Sequence, residues 1–337
     1  MLHAASKKEV IVNRYDYHKP GTIEEAVGLM ATLDGAQFIA GGTDVMVLIR
    51  QKKLKPKNLI SIRNIKDLAY IDTANGLKFG AATTHSDIDG HDAIKRAYSA
   101  LTDATSWLGS RQIRNVATVG GNICNAAPSA DTACPLLVLD TMVSIVGPKG
   151  TREVALDDFF QGPGKTVLKP GELVKGFVIP AFGENTGSAY IKHTRRQAMD
   201  LPILGVAARV TINIGKNGGA LRCKDILCTM ESTLDVLKRF EEEELRCEDV
   251  RIAMGVVAPR PIRAKKAEAA LKGKIISEKL LQEIGEIAAS EASPRDSIRG
   301  EAWYRSEMIR VLVKRSILRS VDRIIRPDDT VYPERLW

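Results

Sequence analysis

The chain has 337 residues, 44% of them apolar, and can therefore bury more than one core, since single cores stop growing well below this length. Its net charge of +8 is spread along the chain and only 5% of residues are aromatic, which disfavours a nucleic-acid-binding surface. Residues 1–13 hold no apolar secretion signal and no run of about 18 apolar residues occurs, so we expect a cytoplasmic protein without a membrane partner.

The N-terminal part alternates helical and extended apolar patterns, separated by turn signals. A capping box and an Asn-Gly pair are its clearest local signals. In order, the predicted elements are a helix begun by Thr22-Ile23-Glu24-Glu25 and ended by Gly35, a strand over 36–40, a glycine turn at Gly41-Gly42-Thr43-Asp44, a helix over 45–50, a strand over 58–62 and a hairpin around Asn75-Gly76.

The rest of the chain continues with helices and then with a strand-rich part. A stretch rich in proline and glycine, 180–188, predicts a domain boundary. In order, we predict a helix capped by Thr83, Thr84 or Ser86, a helix over 93–109, a second double-glycine turn at 120–121, strands over 135–146 and 152–155, a strand over 206–214 paired through Gly218-Gly219 with a following strand, a strand over 250–257, and helices over 262–271, 277–289 and 307–321.

The glycine pairs Gly41-Gly42 and Gly120-Gly121 are candidates for a diphosphate cradle. Converging backbone amides hold a diphosphate where the chain lacks a Cβ, and Thr43 and Thr118 add hydroxyl donors. Asp44 is more simply explained as a helix cap. A single glycine pair is more often a plain turn, and the chain has neither the G-x-G-x-x-G nor the G-x-x-x-x-G-K-[ST] motif.

The segments around both glycine pairs are similar to one known family. They are Phe38-Ile39-Ala40-Gly41-Gly42-Thr43-Asp44 and the stretch from Arg111-Gln112-Ile113-Arg114-Asn115 to Pro128-Ser129-Ala130-Asp131. Both resemble the FAD-binding medium subunit or domain of the xanthine dehydrogenase family, the molybdenum hydroxylases, which includes carbon monoxide, nicotinate and 4-hydroxybenzoyl-CoA redox enzymes. The resemblance covers nearly the whole chain, continuing through Tyr15-Asp16-Tyr17, Lys192 to Arg196, Arg251 to Gly255 and Pro261 to Ala264.

The resemblance implies an α+β fold of the vanillyl-alcohol-oxidase/PCMH type. Two α+β subdomains would enclose the flavin, over residues 1–70 and 71–182. A C-terminal domain over residues 183–337 would contain three antiparallel strands and a helix bundle, with an insertion at about 222–248.

Carried over residue by residue, the resemblance also predicts where FAD lies. The diphosphate and the adjoining ribityl and ribose groups would contact Phe38, Ile39, Ala40, Gly41, Gly42, Thr43, Asp44, Val45, Ala117, Thr118, Gly121 and Asn122. Cys124, Asn125 and Asp131 would lie along the same cofactor, and Leu173, Val174 and Lys192 would approach its other side. Simpler roles stay open for four of them: Asp131 as a cap, Leu173 and Val174 as core residues, and Lys192 as a surface charge.

The implied function is electron transfer within a larger enzyme. A molybdopterin-containing large subunit would oxidise the substrate, and electrons would cross [2Fe-2S] clusters on a small subunit to FAD on this chain. NAD or another acceptor would then receive them. A stand-alone FAD oxidase or reductase of the same fold is the main alternative, although no catalytic acid–base constellation is evident. A scaffold that has lost its flavin would predict damaged glycine turns, and both turns are intact.

The cysteines and histidines do not predict a metal site. Cys223 and Cys228 are separated by four residues and Cys247 follows, which is one thiolate short of an ordinary iron–sulfur cluster. Thiols on a partner-facing helical insertion are the preferred interpretation. The five histidines are scattered along the chain without a ligand pair. We therefore expect no metal on this chain.

Overall fold

The computed structural model describes residues 14–213 and 244–325. Its strands are β1 (Asp16–His18), β2 (Ala36–Ile39), β3 (Asn58–Ser61), β4 (Ile71–Asp72), β5 (Leu77–Gly80), β6 (Met142–Gly147), β7 (Gly150–Ala155), β8 (Phe160–Gly162), β9 (Lys165–Thr166), β10 (Leu173–Ile179), β11 (Thr186–His193), β12 (Leu204–Asn213), β13 (Arg246–Gly255) and β14 (Ile262–Arg263). Its helices are α1 (Ile23–Thr32), α2 (Val45–Arg50), α3 (His85–Asp89), α4 (Asp92–Ala97), α5 (Ser99–Ser106), α6 (Arg111–Arg114), α7 (Val119–Asn125), α8 (Ala133–Val138), α9 (Leu156–Phe159), α10 (Lys265–Leu271), α11 (Glu278–Glu291) and α12 (Ala302–Ile325).

Three main sheets divide the described chain. A parallel sheet has the strand order β1-β3-β2, an antiparallel five-stranded sheet has the order β4-β5-β10-β6-β7, and a four-stranded antiparallel sheet has the order β11-β12-β13-β14. This arrangement confirms the α+β class. Each sheet lies within one of the ranges 1–70, 71–182 and 183–337, whose boundaries stay a prediction.

Several elements form where local sequence signals predict them. The Thr22 side chain caps α1 by accepting a hydrogen bond from the Glu25 amide, which is one half of the predicted capping box; the Glu25 carboxylate accepts from the Gly21 amide at 2.7 Å instead of from Thr22. Gly76 has a φ of +88°, in the left-handed region that an Asn-Gly hairpin requires between β4 and β5. Thr84 caps α3 and Ser277 caps α11, so hydroxyl side chains mark these helix starts correctly.

Three predicted elements differ from the structure. The strand predicted over 135–146 is wrong in its first half, which forms α8 and then β6, because a continuous apolar run does not distinguish a buried helix from a buried strand. The helix predicted over 93–109 is broken at Tyr98, which separates α4 from α5. The helix predicted over 262–271 begins only after β14.

The C-terminal sheet packs its apolar residues against α10, α11 and α12 in one core. Among the described residues it has three long strands, the number that the resemblance implies, but β11 is not one of the strands predicted from the sequence pattern, and the two-residue fourth strand, β14, was also missed. The first long strand begins at Thr186, inside the stretch predicted as a break. The strand predicted to follow Gly218-Gly219, and Cys223 and Cys228, lie outside the described residues.

A buried acid joins the N-terminal half of the chain to the C-terminal half. Asp103 on α5 accepts hydrogen bonds from both terminal nitrogens of Arg323 on α12, each at 2.7 Å, and from the Tyr190 amide at 2.9 Å. Ser99 Oγ also donates to the Ser188 carbonyl at 2.6 Å. These bonds fix α5 against β11, and β11 carries Lys192 towards the candidate site.

Candidate functional site

The first glycine segment lies directly against the second predicted segment. A Cβ on Gly41 would stand 1.9 Å from the Val116 carbonyl oxygen and 2.9 Å from Ala117 Cα, so only glycine permits this approach of two backbones. Gly42 has a φ of +73°, again a conformation that favours glycine. The two segments that the sequence singles out, about 80 residues apart, therefore meet in space.

The first segment also presents free hydrogen-bond donors. Within the part of the chain that the structure describes, the backbone amides from Gly41 to Val45 donate no hydrogen bond. Asp44 occupies the N-cap position of α2, but its exposed side chain makes no capping hydrogen bond, contrary to the simple explanation of this residue. Desolvation raises the pKa of Asp44 above its ordinary value. This set of donors suits a bound anion such as a diphosphate.

The second glycine pair is built differently from the prediction. Gly120 and Gly121 do not form an open turn but lie in the first turn of α7, because Thr118 caps that helix by accepting from the Gly121 amide at 3.0 Å. The amides of Val119 and Gly120 donate to the carbonyls of Thr83 and Ala81, each at 3.0 Å. The predicted cradle of amides at Gly120-Gly121 is therefore wrong, since these donors are already used.

The two glycines of α7 differ in what a side chain at each position would contact. A Cβ on Gly120 would lie 2.4 Å from the Ala81 oxygen, so this glycine allows α7 to pack against the end of β5. Gly121 is exposed, and an added Cβ would meet only the Thr118 hydroxyl at 3.0 Å. Since the Thr118 oxygen accepts the cap bond, its own proton is still able to donate to a ligand.

Asp131 and Lys192, both predicted at the cofactor, form a buried ion pair with each other. Lys192 Nζ donates to Asp131 Oδ2 at 2.9 Å and to the Trp107 carbonyl at 3.2 Å. The Tyr190 hydroxyl donates to Asp131 Oδ1 at 3.1 Å. The two charged side chains are only 3% and 6% exposed, so the prediction that Lys192 could be a surface charge is wrong.

Burial controls the protonation of this ion pair. It raises the pKa of Asp131, and the Lys192 ammonium and the Tyr190 hydroxyl act in the opposite direction. Burial also raises the pKa of Tyr190 well above its ordinary value, so this phenol stays a hydrogen-bond donor at neutral pH. The sequence analysis missed Tyr190. Its position two residues before Lys192 on β11 is the signal, because alternate residues of a strand share a face.

Short contacts connect the glycine segments with the ion pair. Thr132, next to Asp131, donates from its hydroxyl to Asn122 Oδ1 at 2.7 Å, and Asn122 follows Gly121 on α7. Asn125 and Cys124 are half-buried on the same helix. Burial raises the pKa of Cys124 to about 12, so this thiol is a neutral group rather than a thiolate.

Leu173 and Val174 lie at the start of β10 and belong to two different apolar cores. Leu173 is 4% exposed and Val174 only 1%, so packing accounts for both side chains. Contact of either residue with a cofactor stays a prediction. Phe38, Ala40, Thr43 and Val45 are half-buried around the first glycine segment, and Ile39 is buried beneath it.

The described residues do not contain a group of three or more metal-ligating side chains. Cys247 is buried, and burial raises the pKa of its thiol to about 12. An iron–sulfur cluster of the kind considered from the sequence would also need Cys223 and Cys228, which lie outside the described residues. Across 14–213 and 244–325, no helix is both long enough and apolar enough to span a bilayer.

Comparisons with known proteins find matches over most of the chain. Residues 13–182 match the family described as "FAD binding domain in molybdopterin dehydrogenase", and residues 189–320 match the "CO dehydrogenase flavoprotein C-terminal domain". The chain is 33% identical over 308 residues to the xanthine dehydrogenase FAD-binding subunit of Escherichia coli O157:H7, covering 90% of this chain and 95% of that protein. It is 27% identical to the carbon monoxide dehydrogenase medium chain of Hydrogenophaga pseudoflava, covering 91% and 97%.

A solved structure has the same fold. It is carbon monoxide dehydrogenase from Hydrogenophaga pseudoflava which lacks the Mo-pyranopterin moiety of the molybdenum cofactor; one of its chains is 28% identical, with a TM-score of 0.79 over 93% of this chain and 99% of that chain. The likeness confirms the PCMH-type FAD-binding fold and FAD as the cofactor. The chain therefore belongs to the oxidoreductase family of FAD-binding medium subunits found in xanthine dehydrogenases and carbon monoxide dehydrogenases.

Proposed function

We propose that this chain holds the FAD diphosphate at the Gly41–Val45 segment and acts as the electron-transfer subunit of a larger enzyme. The observation that carries this proposal is the run of amides from Gly41 to Val45 without an acceptor in the described chain, packed against Ala117. Phosphate oxygens accept hydrogen bonds from consecutive backbone amides without requiring cations. In this segment Phe38, Ile39 and Ala40 would support the turn, and Thr43 would add a hydroxyl.

The second segment would complete the FAD site through side chains rather than glycine amides. The Thr118 hydroxyl, the open surface at Gly121 and the Asn122 side chain would face the same cofactor. Cys124 and Asn125 follow on α7 and would lie further along it. Because the Cys124 thiol is protonated, its contact would be a packing contact or a weak hydrogen bond.

Asp131, Tyr190 and Lys192 would keep one fixed charge arrangement beside the cofactor. The Lys192 ammonium and the Asp131 carboxylate form a buried ion pair at 2.9 Å. The pair is neutral overall, so its influence on a reduced flavin would be that of an oriented dipole rather than of a free cation. Leu173 and Val174 would close the cofactor site with apolar surface.

The proposed partners are a molybdopterin-containing large subunit and a small subunit with [2Fe-2S] clusters, and NAD or another acceptor would receive the electrons. When bound, FAD exchanges electrons singly or in pairs, which allows it to connect clusters with a two-electron acceptor. The names of the relatives support a multi-subunit setting, since they are a FAD-binding subunit and medium chains. A cytoplasmic location is part of the same proposal.

Purification of the full chain, with its neighbouring reading frames co-produced, tests the proposal. We expect stoichiometric FAD on this chain, with molybdenum and iron in the same assembly and FAD reduction by substrate only when the partners are present. Purified chain without flavin absorbance would overturn the proposed cofactor site. A lone flavoprotein that turns over an organic substrate by itself would instead support the stand-alone oxidase or reductase.

A further inference from the structure

The first two residues of β10 pack into different apolar cores. Leu173 belongs to a core against which Phe38 and Ala40 of the first glycine segment also pack. Val174 belongs to a second core, together with Val119 of α7. The division follows from strand geometry, because successive side chains of a strand point to opposite faces. The start of β10 is therefore part of the packing beneath both segments of the proposed cofactor site.

Glu172, immediately before β10, is held by Arg152 on β7. Arg152 Nε donates to Glu172 Oε1 at 2.9 Å, and Arg152 Nη2 donates to Glu172 Oε2 at 2.7 Å. A two-point contact of this kind fixes orientation as well as distance. The hydrogen bond from Arg152 lowers the pKa of Glu172 to about 2, so both side chains are charged at neutral pH.

The same two side chains close the turn that leads into β10. Arg152 Nη2 also donates to the Val167 carbonyl at 3.0 Å. The Lys169 amide donates to Glu172 Oε2 at 2.7 Å, and the Glu172 amide donates back to the Lys169 carbonyl at 3.0 Å. Gly171, with a φ of +81°, supplies the left-handed residue of this turn. The path of the chain into Leu173 is thus set by one ion pair.

The strand pairing of β10 is weakest at this point. The register with β6 shifts between Val174 and Gly176, and such a bulge interrupts the ladder of hydrogen bonds. On the other side, the end of β6 lies close to the ion pair, since a Cβ on Gly147 would stand 2.8 Å from Glu172 Cγ. The first two residues of β10 therefore depend on Glu172 for their position more than a regular strand would.

We propose that Arg152 and Glu172 are a positioning pair for the flavin site, which fixes the start of β10 and through it the spacing of the two segments that would hold FAD. This inference rests on the proposed function. The pair would act through Leu173 and Val174 without touching the cofactor. Binding sites lose affinity when the residues that support them are loosely held, even if every contacting residue is present.

The test uses the full chain, freed of FAD and then titrated with FAD. We compare wild type with Arg152→Met, Glu172→Gln and the double variant Arg152→Met/Glu172→Gln. The matched control is Arg310→Met, which removes a guanidinium of nearly equal exposure, 33% against 34%, that pairs with Glu286 and Glu307 on α11 and α12. The measurements are the Kd for FAD, from flavin fluorescence, and the visible circular dichroism of the bound flavin.

We expect each single variant to raise the Kd about fivefold, as much as the loss of one partly exposed ion pair accounts for, and to change the visible spectrum. The double variant should resemble the single variants, because the two side chains act as one unit. Arg310→Met should keep the wild-type Kd and spectrum. Urea denaturation of each variant verifies that the chain is folded under the conditions of the titration.

Wild-type Kd and spectrum in Glu172→Gln, which keeps the shape of the side chain, would overturn the positioning role alone. An equal rise in Kd for Arg310→Met would also overturn it, because the effect would then reflect general destabilisation. Losses that add in the double variant would count against a pair that acts as one unit. Wild-type chain that binds no FAD would instead overturn the proposed function.

Discussion

Replacing Lys192 by methionine removes the cation of a buried ion pair and keeps most of the side-chain volume. The carboxylate of Asp131, 6% exposed, then lacks the ammonium that lies 2.9 Å away in wild type. Removing one partner of such a pair costs about 3–5 kcal/mol. The remaining hydrogen bond from Tyr190 offsets about 1 kcal/mol. We therefore expect Lys192→Met to lose about 2–4 kcal/mol of unfolding free energy at neutral pH.

The loss should depend on pH. Without Lys192, burial raises the pKa of Asp131 further above its ordinary value of 3.8, so the folded state holds this proton at pH values where the unfolded state releases it. The penalty therefore grows as the pH rises above the ordinary value and fades as the pH falls towards it. Urea denaturation followed by circular dichroism, at several pH values, measures both effects.

Two variants control this prediction. Lys192→Met/Asp131→Asn has no unpaired charge and should recover at least half of the lost stability, which a double-mutant cycle detects as coupling. Lys57→Met removes the exposed ion pair with Asp34 and should leave the denaturation midpoint unchanged. Strictly additive losses for Lys192 and Asp131, or a penalty independent of pH, would refute the assignment of a buried, coupled pair.

Three other perturbations give distinct results. In Gly41→Ala the new Cβ would stand 1.9 Å from the Val116 carbonyl oxygen, and overpacking of this kind costs about 1–3 kcal/mol. The FAD affinity measured in a flavin titration should therefore fall by roughly tenfold. Gly28→Ala, whose new Cβ would have nothing within 4 Å, should retain the wild-type affinity. Asp103→Asn should lose about 3–5 kcal/mol in urea denaturation, because a buried arginine pair between the two halves is broken. Arg152 lowers the pKa of Glu172 to about 2, so the stability difference between wild type and Glu172→Gln, measured by the same method, should shrink as the pH falls from 4.5 towards that value. An unchanged flavin affinity would contradict the first expectation, and an unchanged denaturation midpoint the second. A stability difference that stays constant with pH would contradict the third.

The part of the candidate site that is formed by one short segment was predictable from the sequence. Gly41-Gly42 follows a buried strand, and the left-handed φ of Gly42 is a property of that turn itself. The second glycine pair was misread as an open turn. Whether Gly120 faces a ligand or a packed neighbour depends on Ala81, about 40 residues earlier, which periodicity does not show.

By itself, the sequence determined the order of most elements, the α+β class and the two segments that meet at Gly41. The order of the elements follows from caps, turn residues and apolar periodicity, which act over a few residues, whereas the α+β fold and the meeting of the two segments were expected from the resemblance to the family. Only the tertiary structure decided that Asp131 and Lys192 pair with each other, that Tyr190 joins them, and that Arg305 on α12 binds the Ile203 carbonyl. Each of these depends on distances between residues far apart in the chain, and such distances are set by how the sheets and helices pack.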